Sequence, residues 1–441
     1  MTDAVYLVQT ADHALDAVVE VPGSKSIANR ALVCATLAEG VSVLHNVPGG
    51  DDTAAMLDCV ALLGAGVNRH DDTRVEVHGT AGALHPGPLV LQARLAGTTS
   101  RFVTALCALG TGSYEIDGLP PLRGRPMAPL HDALVAIGAG VTCGEVWGHL
   151  PVTVTGRTGP ADNADNAAPI DGGGTVQIRG DVSSQYITAL MLIAPCLPGG
   201  LRIESTTPLI SRPYLAITAA VMAAFGVRDV TIEHDVVTVG PGSYTAVDYV
   251  IEPDASTASY PLAAAAICGG SVRVPDLGPN ALQGDAAFAD VLALMGCDIR
   301  RDDTGTTVRR DGDLRGIDID MADLSDLVPT LAVVAPFATT PTEITGVGFI
   351  RAKESDRLGD LAHELTKCGA QVTVLDDGLR IEPGMVDGAA MDTHHDHRLA
   401  MAFGILGLRV HGVRVHDPDV VTKSWPAFWT SLEAMRSAGH H

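Results

Sequence analysis

The apolar residues of this chain come in long unbroken runs, each opened by a short polar stretch. Val21-Pro22-Gly23-Ser24-Lys25-Ser26-Ile27-Ala28-Asn29-Arg30 leads into Ala31-Leu32-Val33-Cys34-Ala35-Thr36-Leu37-Ala38. That pattern predicts a strand end, a Pro-Gly turn and a buried helix capped by Ser24 or Ser26. The same alternation returns five times. Ser100-Arg101 precedes Phe102-Val103-Thr104-Ala105-Leu106, and Ser183-Ser184-Gln185 precedes Tyr186-Ile187-Thr188-Ala189-Leu190. Ser256-Thr257-Ala258-Ser259-Tyr260 precedes Pro261-Leu262 and four alanines, Asp326 precedes Leu327-Val328-Pro329-Thr330-Leu331-Ala332, and Asp396-His397-Arg398 precedes Leu399-Ala400-Met401-Ala402-Phe403.

Short β-like runs follow the helices, such as Val41-Ser42-Val43, Tyr114-Glu115-Ile116, Leu201-Arg202-Ile203 and Thr342-Glu343-Ile344. A second helix then closes on glycine at Gly64, Gly138, Gly226, Gly296 and Gly369, at spacings of about 70 to 90 residues. Six copies of one α/β unit are therefore expected. Units one to three span about 22–245 and units four to six run from about 250 onward, with the boundary near Val250 to Asp254. The strands expected within Ala4 to Glu20 can belong to either half. The polar insert Gly156 to Gly174 is expected as a surface loop.

Composition narrows the partners. With 29 Lys+Arg against 52 Asp+Glu, the formal net charge is −23, which argues against nucleic acid or an anionic membrane surface. Aromatics at 4 % leave little for base stacking. Eight cysteines without a CxxC spacing read as small core residues of a reduced, cytoplasmic protein. No basic segment followed by an apolar one opens the chain, so no secretory signal is expected. No apolar run approaches the ~18 residues of a membrane span. His440-His441 reads as the remnant of a tag.

The repeated polar starts carry candidate chemistry. A helix N-terminus presents unpaired N–H groups and about half a positive charge, which suits phosphate or carboxylate. Lys25 adds a point charge and Arg30 a planar fork. His394-His395-Asp396-His397 invites a metal, yet no partner cluster at zinc spacing is visible. No GxxxxGK[ST] is present, which argues against a P-loop kinase.

Taken together and in order, Pro22-Gly23-Ser24-Lys25-Ser26 with Asn29-Arg30, Ala96-Gly97-Thr98 with Arg101, Gly124-Arg125-Pro126, Val182-Ser183-Ser184-Gln185, Asp254-Ala255-Ser256, Lys353-Glu354-Ser355-Asp356-Arg357 and Asp396-His397-Arg398 resemble the 5-enolpyruvylshikimate-3-phosphate (EPSP) synthase family over nearly the whole chain. The resemblance implies a two-domain inside-out α/β barrel of six βαβαββ units, three per domain. Residues 22–250 would form one domain and 1–21 with 251–435 the other, with the active site in the cleft between them. It implies transfer of enolpyruvyl from phosphoenolpyruvate to the 5-hydroxyl of shikimate 3-phosphate, in aromatic amino acid biosynthesis, without metal or cofactor, by a monomer.

By the same resemblance, Lys25, Ser26, Arg30, Ser183, Ser184, Gln185, Ser211, Asp326 and Lys353 would hold shikimate 3-phosphate, with Tyr214 nearby. Lys25, Gly97, Arg125, Gln185, Arg357, Arg398 and Lys423 would hold phosphoenolpyruvate, with His397 beside its carboxylate. Asp326 would orient the attacking hydroxyl and accept its proton, Glu354 would protonate C3, and Lys25 would assist. Arg101 and Arg125 can also be read as solvated ion pairs. The chain departs from the family pattern at Arg94-Leu95, where Gly-Asn is usual, at Phe102, where proline is common, and at Phe349-Ile350-Arg351, which lacks an asparagine. Gly97, rather than alanine, implies sensitivity to glyphosate. A sister transferase acting on UDP-N-acetylglucosamine fits less well, because Lys25 is followed by serine and Gly118 to Pro126 holds no cysteine. A non-catalytic repeat scaffold would leave the basic residues and the two carboxylates at repeat starts without a use.

Overall fold

The structure is a computed structural model describing residues 4–156 and 174–438. Nearly all of the insert expected as a surface loop lies outside those residues, as does His440-His441. The chain divides into two compact units, Gly23–Ile251 and Met1–Pro22 with Glu252–His441.

The apolar runs form the centre of each unit. In the unit Gly23–Ile251 these are the helices Lys25–Leu37, Gly97–Cys107 and Ser184–Ile193. In the other unit they are Ala255–Cys268, Val328–Val334 and His397–Arg409. Every residue of the first helix is buried except Lys25 and Ser26, and every residue of Ala255–Cys268 except Cys268. A helix that is apolar all round needs neighbours on all sides. Within each unit the three helices pack on one another and sheets cover them from outside.

The described residues form five four-stranded sheets and one three-stranded sheet. One repeat shows how a sheet positions a helix. Leu89–Gln92 runs parallel to Ser113–Asp117, with Leu89 opposite Tyr114, and the helix Gly97–Cys107 makes the crossover between them. Val152–Thr155 then adds antiparallel and pairs with Gly140–Cys143. A parallel crossover puts the helix N-terminus at the end where its first strand finishes, the usual ligand-binding end of such units.

Two repeats take their leading strand from far away in sequence. Asp248–Val250 lies parallel to Val41–His45, and Leu15–Val18 lies parallel to Gly270–Pro275. Val5–Leu7 pairs antiparallel with Arg414–His416. The chain therefore starts in one unit, leaves it at Pro22 and returns after Ile251.

Some helix starts differ from the sequence pattern. Gly97 already begins the second helix, so Ser100 and Arg101 sit within its first turns, and Ser100 Oγ donates to Gly97 O at 3.0 Å. Asp254, rather than a serine, caps the fourth helix, accepting from Thr257 N at 2.8 Å. Asp326 falls in the 3₁₀ turn Ala322–Leu327 ahead of its helix. In all three places a backbone turn fixed by neighbouring strands overrides the local polar-to-apolar switch.

The closing glycines are needed for their backbone: Gly64, Gly138, Gly226, Gly296 and Gly369 all have φ between 83° and 110°. At Gly64 a Cβ would also meet the His85 ring at 2.9 Å. Gly64→Ala is therefore expected to destabilise the chain by about 1–3 kcal/mol. An unchanged urea midpoint would contradict this.

Candidate active site

In the unit Gly23–Ile251 the three helix starts are joined by side chains. Ser24 caps the first helix, with Oγ accepting from Ile27 N at 3.4 Å. Lys25 Nζ lies 3.0 Å from Asp52 Oδ2, and Thr99 Oγ1 donates to Asp52 O at 3.2 Å, tying that helix start to the Gly97 helix. Arg101 is 3 % exposed and donates to Gln185 Oε1, so it is no solvated ion pair. It lies over the Tyr186 ring with 5.2 Å from guanidinium carbon to ring centroid. Arg125 reaches the same place, because a Cβ on Gly97 would meet its Nη1 at 2.6 Å. Ser183 caps the third helix by accepting from Gln185 N at 3.3 Å, and Ser184 is buried.

Arg30 is more deeply set than a ligand-facing residue needs to be. It donates to Thr218 Oγ1, Ser26 O, Thr188 Oγ1 and Tyr214 O at 2.7 to 3.4 Å, and is 2 % exposed. Burial pushes its pKa down to about 10. Its bonds bind the Lys25 helix to the Ser184 helix and to Pro213–Ala224, which follows Ser211. Ser211 itself is buried, with a left-handed φ of 53°.

The other unit holds a denser cluster. Arg357, with 1 % of its side chain exposed, bonds three carboxylates: Asp326 Oδ1 at 2.8 Å, Glu354 Oε2 at 2.7 Å and Asp396 Oδ2 at 2.7 Å. Arg398 Nη2 meets Asp326 Oδ2 at 2.8 Å, Lys353 Nζ lies 3.7 Å from Asp326 Oδ1, and Lys423 Nζ is 3.0 Å from Glu354 Oε1. Asp396 also caps the His397 helix, accepting from Arg398 N at 2.9 Å. His397 is buried, with Nδ1 3.5 Å from Asp396 Oδ1.

Electrostatics follow from this packing. Burial alone would raise the Asp326 carboxyl, but Arg398, then Lys353 and Arg357, outweigh it and hold the pKa well below the ordinary range. Burial likewise opposes charge on Arg357, and Asp396, Glu354 and Asp326 reverse that, raising it. The arrangement is a set of cations held ready on internal carboxylates, able to transfer to an incoming polyanion.

Of the residues expected from sequence, Lys25, Gly97, Arg101, Arg125 and Gln185 gather in one unit, and Asp326, Lys353, Glu354, Arg357, Arg398 and Lys423 in the other. Sequence reasoning missed Asp52, Asp396 as an acceptor for Arg357, and Asp285. Asp52 was visible only as an acidic first turn after Gly49-Gly50, a signal that names a helix start and no partner. Asp285 is 5 % exposed and accepts from Ser256 Oγ beside the Asp326 cluster. His394 faces Glu364 and Asp360, and among the described residues no group of His, Cys, Asp and Glu is arranged to hold a metal ion.

Comparison with known proteins bears on the whole chain. The family described as EPSP synthase (3-phosphoshikimate 1-carboxyvinyltransferase) matches residues 9–432. The 3-phosphoshikimate 1-carboxyvinyltransferase of Nostoc punctiforme is 40 % identical over 423 residues, covering 96 % of each chain. That of Shewanella denitrificans is also 40 % identical over 423 residues, covering 95 % of this chain and 96 % of its own. A solved EPSP synthase of Acinetobacter baumannii matches with a TM-score of 0.81 at 24 % identity, covering 98 % of both chains. That likeness shows the fold, a two-domain inside-out α/β architecture.

Asp285 supplies a pH test. Burial first, then Asp326, push its carboxyl up to about 6, against the pull of Ser256 and Arg398. A folded pKa raised above the unfolded one, near 3.9, contributes stability that is full below about 4 and is lost as pH rises through about 6. Asp285→Asn is therefore expected to be more stable than the parent above pH 6, by at most about 3 kcal/mol. The gain should vanish as pH falls toward 4. Urea titrations showing a pH-independent difference would contradict the assignment.

Proposed function

Since the chain belongs to the EPSP synthase family, over 96 % of its length at 40 % identity, we propose that its two cation clusters act together on one pair of substrates. The chain is a transferase that moves the enolpyruvyl group of phosphoenolpyruvate to the 5-hydroxyl of shikimate 3-phosphate and releases phosphate, through a tetrahedral intermediate. Its place is the shikimate route to aromatic amino acids.

The observation that carries the residue roles is the convergence of Lys353, Arg357, Arg398 and Lys423 on Asp326 and Glu354. Arg357, Arg398 and Lys423, with Lys25, Gly97, Arg125 and Gln185, take the carboxylate and phosphate of phosphoenolpyruvate. Lys25, Ser26, Ser183, Ser184, Gln185, Ser211 and Lys353 take shikimate 3-phosphate. Arg30 joins that set chiefly by fixing the helices around it, since four protein acceptors already engage its guanidinium.

Asp326 orients the 5-hydroxyl and accepts its proton. In the unliganded protein its pKa is held too low for a good base. Transfer of Arg398 and Lys353 to substrate oxygens removes much of that hold, so the anionic substrates themselves raise the proton affinity of Asp326. As Arg357 and Lys423 transfer to substrate oxygens, Glu354 takes up a proton from solvent and delivers it to C3, and Lys25 stabilises the departing phosphate. Expulsion of phosphate reverses the proton steps. The eight free cysteines suit a reducing cytoplasm, and no helix of the described residues is long and apolar enough to cross a membrane.

The deciding measurement is phosphate release with phosphoenolpyruvate and either shikimate 3-phosphate or UDP-N-acetylglucosamine as acceptor; turnover of the second alone would replace this reading with the sister reaction. Asp326→Ala and Glu354→Ala are each expected to lower kcat by roughly 10²–10⁴ while the fold persists. Folded variants with parental kcat would remove those roles.

Glyphosate is expected to compete with phosphoenolpyruvate. In Gly97→Ala the new methyl would displace the Arg125 guanidinium, raising both the inhibition constant and the KM for phosphoenolpyruvate. Parental values of both would separate Gly97 and Arg125 from the phosphoenolpyruvate site.

A further inference from the structure

Just ahead of the Asp396 cap the chain passes through two consecutive left-handed residues, neither of them glycine: His394 with φ 49° and His395 with φ 58°. Each such conformation costs on the order of 1–3 kcal/mol and persists where its surroundings over-determine it.

The surroundings of His394 are unusually specific. Glu364, on the helix Gly359–Lys367, has no exposed side-chain surface. Its carboxylate accepts from Lys367 Nζ at 2.7 and 2.8 Å and from Asp392 N at 2.9 Å, and His394 Nε2 lies 2.9 Å from Oε1. His394 N donates back to Asp392 Oδ1 at 2.8 Å, and Asp360 Oδ1 lies 3.7 Å from His394 Nδ1. A charged group this deep is costly unless it is fully paired, and here it is paired by Lys367 of its own helix and by the backbone and side chain of one turn.

The lysine usage points the same way. The chain has only four lysines. Lys25, Lys353 and Lys423 belong to the two cation clusters, and the fourth, Lys367, is the one on Glu364. Two residues beyond His394, Asp396 receives Arg357 Nε at 2.7 Å; two further on, Arg398 reaches Asp326 at 2.8 Å. The turn pinned by Glu364 thus sets where both of those side chains begin.

We propose that Glu364 and His394 are positioning residues for the transfer reaction: they latch the left-handed turn that aims Asp396 and Arg398 at Arg357 and Asp326. This rests on the roles given above to Asp326 and Arg398. The latch touches neither the cations nor the carboxylates of the cluster and acts only through the backbone of 392–396.

The test is steady-state phosphate release by the full chain with shikimate 3-phosphate and phosphoenolpyruvate, read with the melting temperature. His394→Gly tolerates the left-handed backbone but loses the imidazole. It is expected to lose about tenfold or more in kcat/KM, since small displacements of a reacting geometry are costly, while melting within a few degrees of the parent. Because the His394 side chain is 28 % exposed, added imidazole should restore part of the rate, as should His394→Gln, which keeps a donor. His395→Gly, which keeps the His394 imidazole on Glu364 and loses only the exposed contact of His395 Nδ1 with Asp417 Oδ2, should stay close to the parent. Full activity in His394→Gly would overturn the proposal. So would a loss that neither imidazole nor His394→Gln restores. An inactive parent protein would instead sink the enzymatic reading, and this proposal with it.

Discussion

Three carboxylates meet on one buried guanidinium, and the chemistry of the site depends on that contact. At an effective dielectric near 20, two unit charges 4 Å apart interact by about 4 kcal/mol. Asp326, Glu354 and Asp396 without Arg357 would repel one another where water screens poorly. With it, Arg398, Lys353 and Lys423 can be added around the same core and the cluster stays near electroneutral. A chain with a formal charge of −23 thereby keeps four cations gathered in one place. Phosphates and carboxylates in general offer the same oxygen geometry to such donors as these side-chain carboxylates do.

The backbone adds positive potential at the helix starts, beside Lys25, Arg101 and Arg125 in one unit. Each unit is built on three buried helices whose starts carry Ser24, Gly97 and Ser183 in one, and Asp254 and Asp396 in the other, with Asp326 in the 3₁₀ turn ahead of Val328–Val334. Helix N-termini do not titrate, and they add positive potential without lysines where a hydroxyl caps them, as at Ser24 and Ser183, whereas Asp254 and Asp396 cap theirs with a carboxylate. The helices are apolar on nearly every side because they sit inside their sheets, and polar residues are left mainly at their starts. Fold and site therefore share one cause: burying a helix completely confines its polarity to its ends.

The sheets explain why the chain is threaded as it is. Parallel partners for Val41–His45 and Gly270–Pro275 come from Asp248–Val250 and Leu15–Val18, so each unit is completed by a segment distant in sequence. Such closure leaves neither unit with a leading strand missing, and two chain passages, at Pro22 and Ile251, link them.

What the sequence determined by itself was whatever depends on local order: six apolar runs, five closing glycines, and polar helix starts carrying Lys25, Gln185, Asp326 and Arg398, while Gly97, Glu354 and Arg357 were marked by the family resemblance. Those features follow from hydrophobic period and from the backbone freedom of glycine, which neighbours in sequence decide. Tertiary structure alone decided the pairing. Lys25 on Asp52, Arg101 on Gln185, Arg30 on Thr188 and Thr218, Asp285 on Ser256 and Glu364 on His394 join residues whose spacing carries no pattern. The reason is physical: a buried charge takes whichever partner the packing of other elements brings within about 3 Å, and no local signal records that choice.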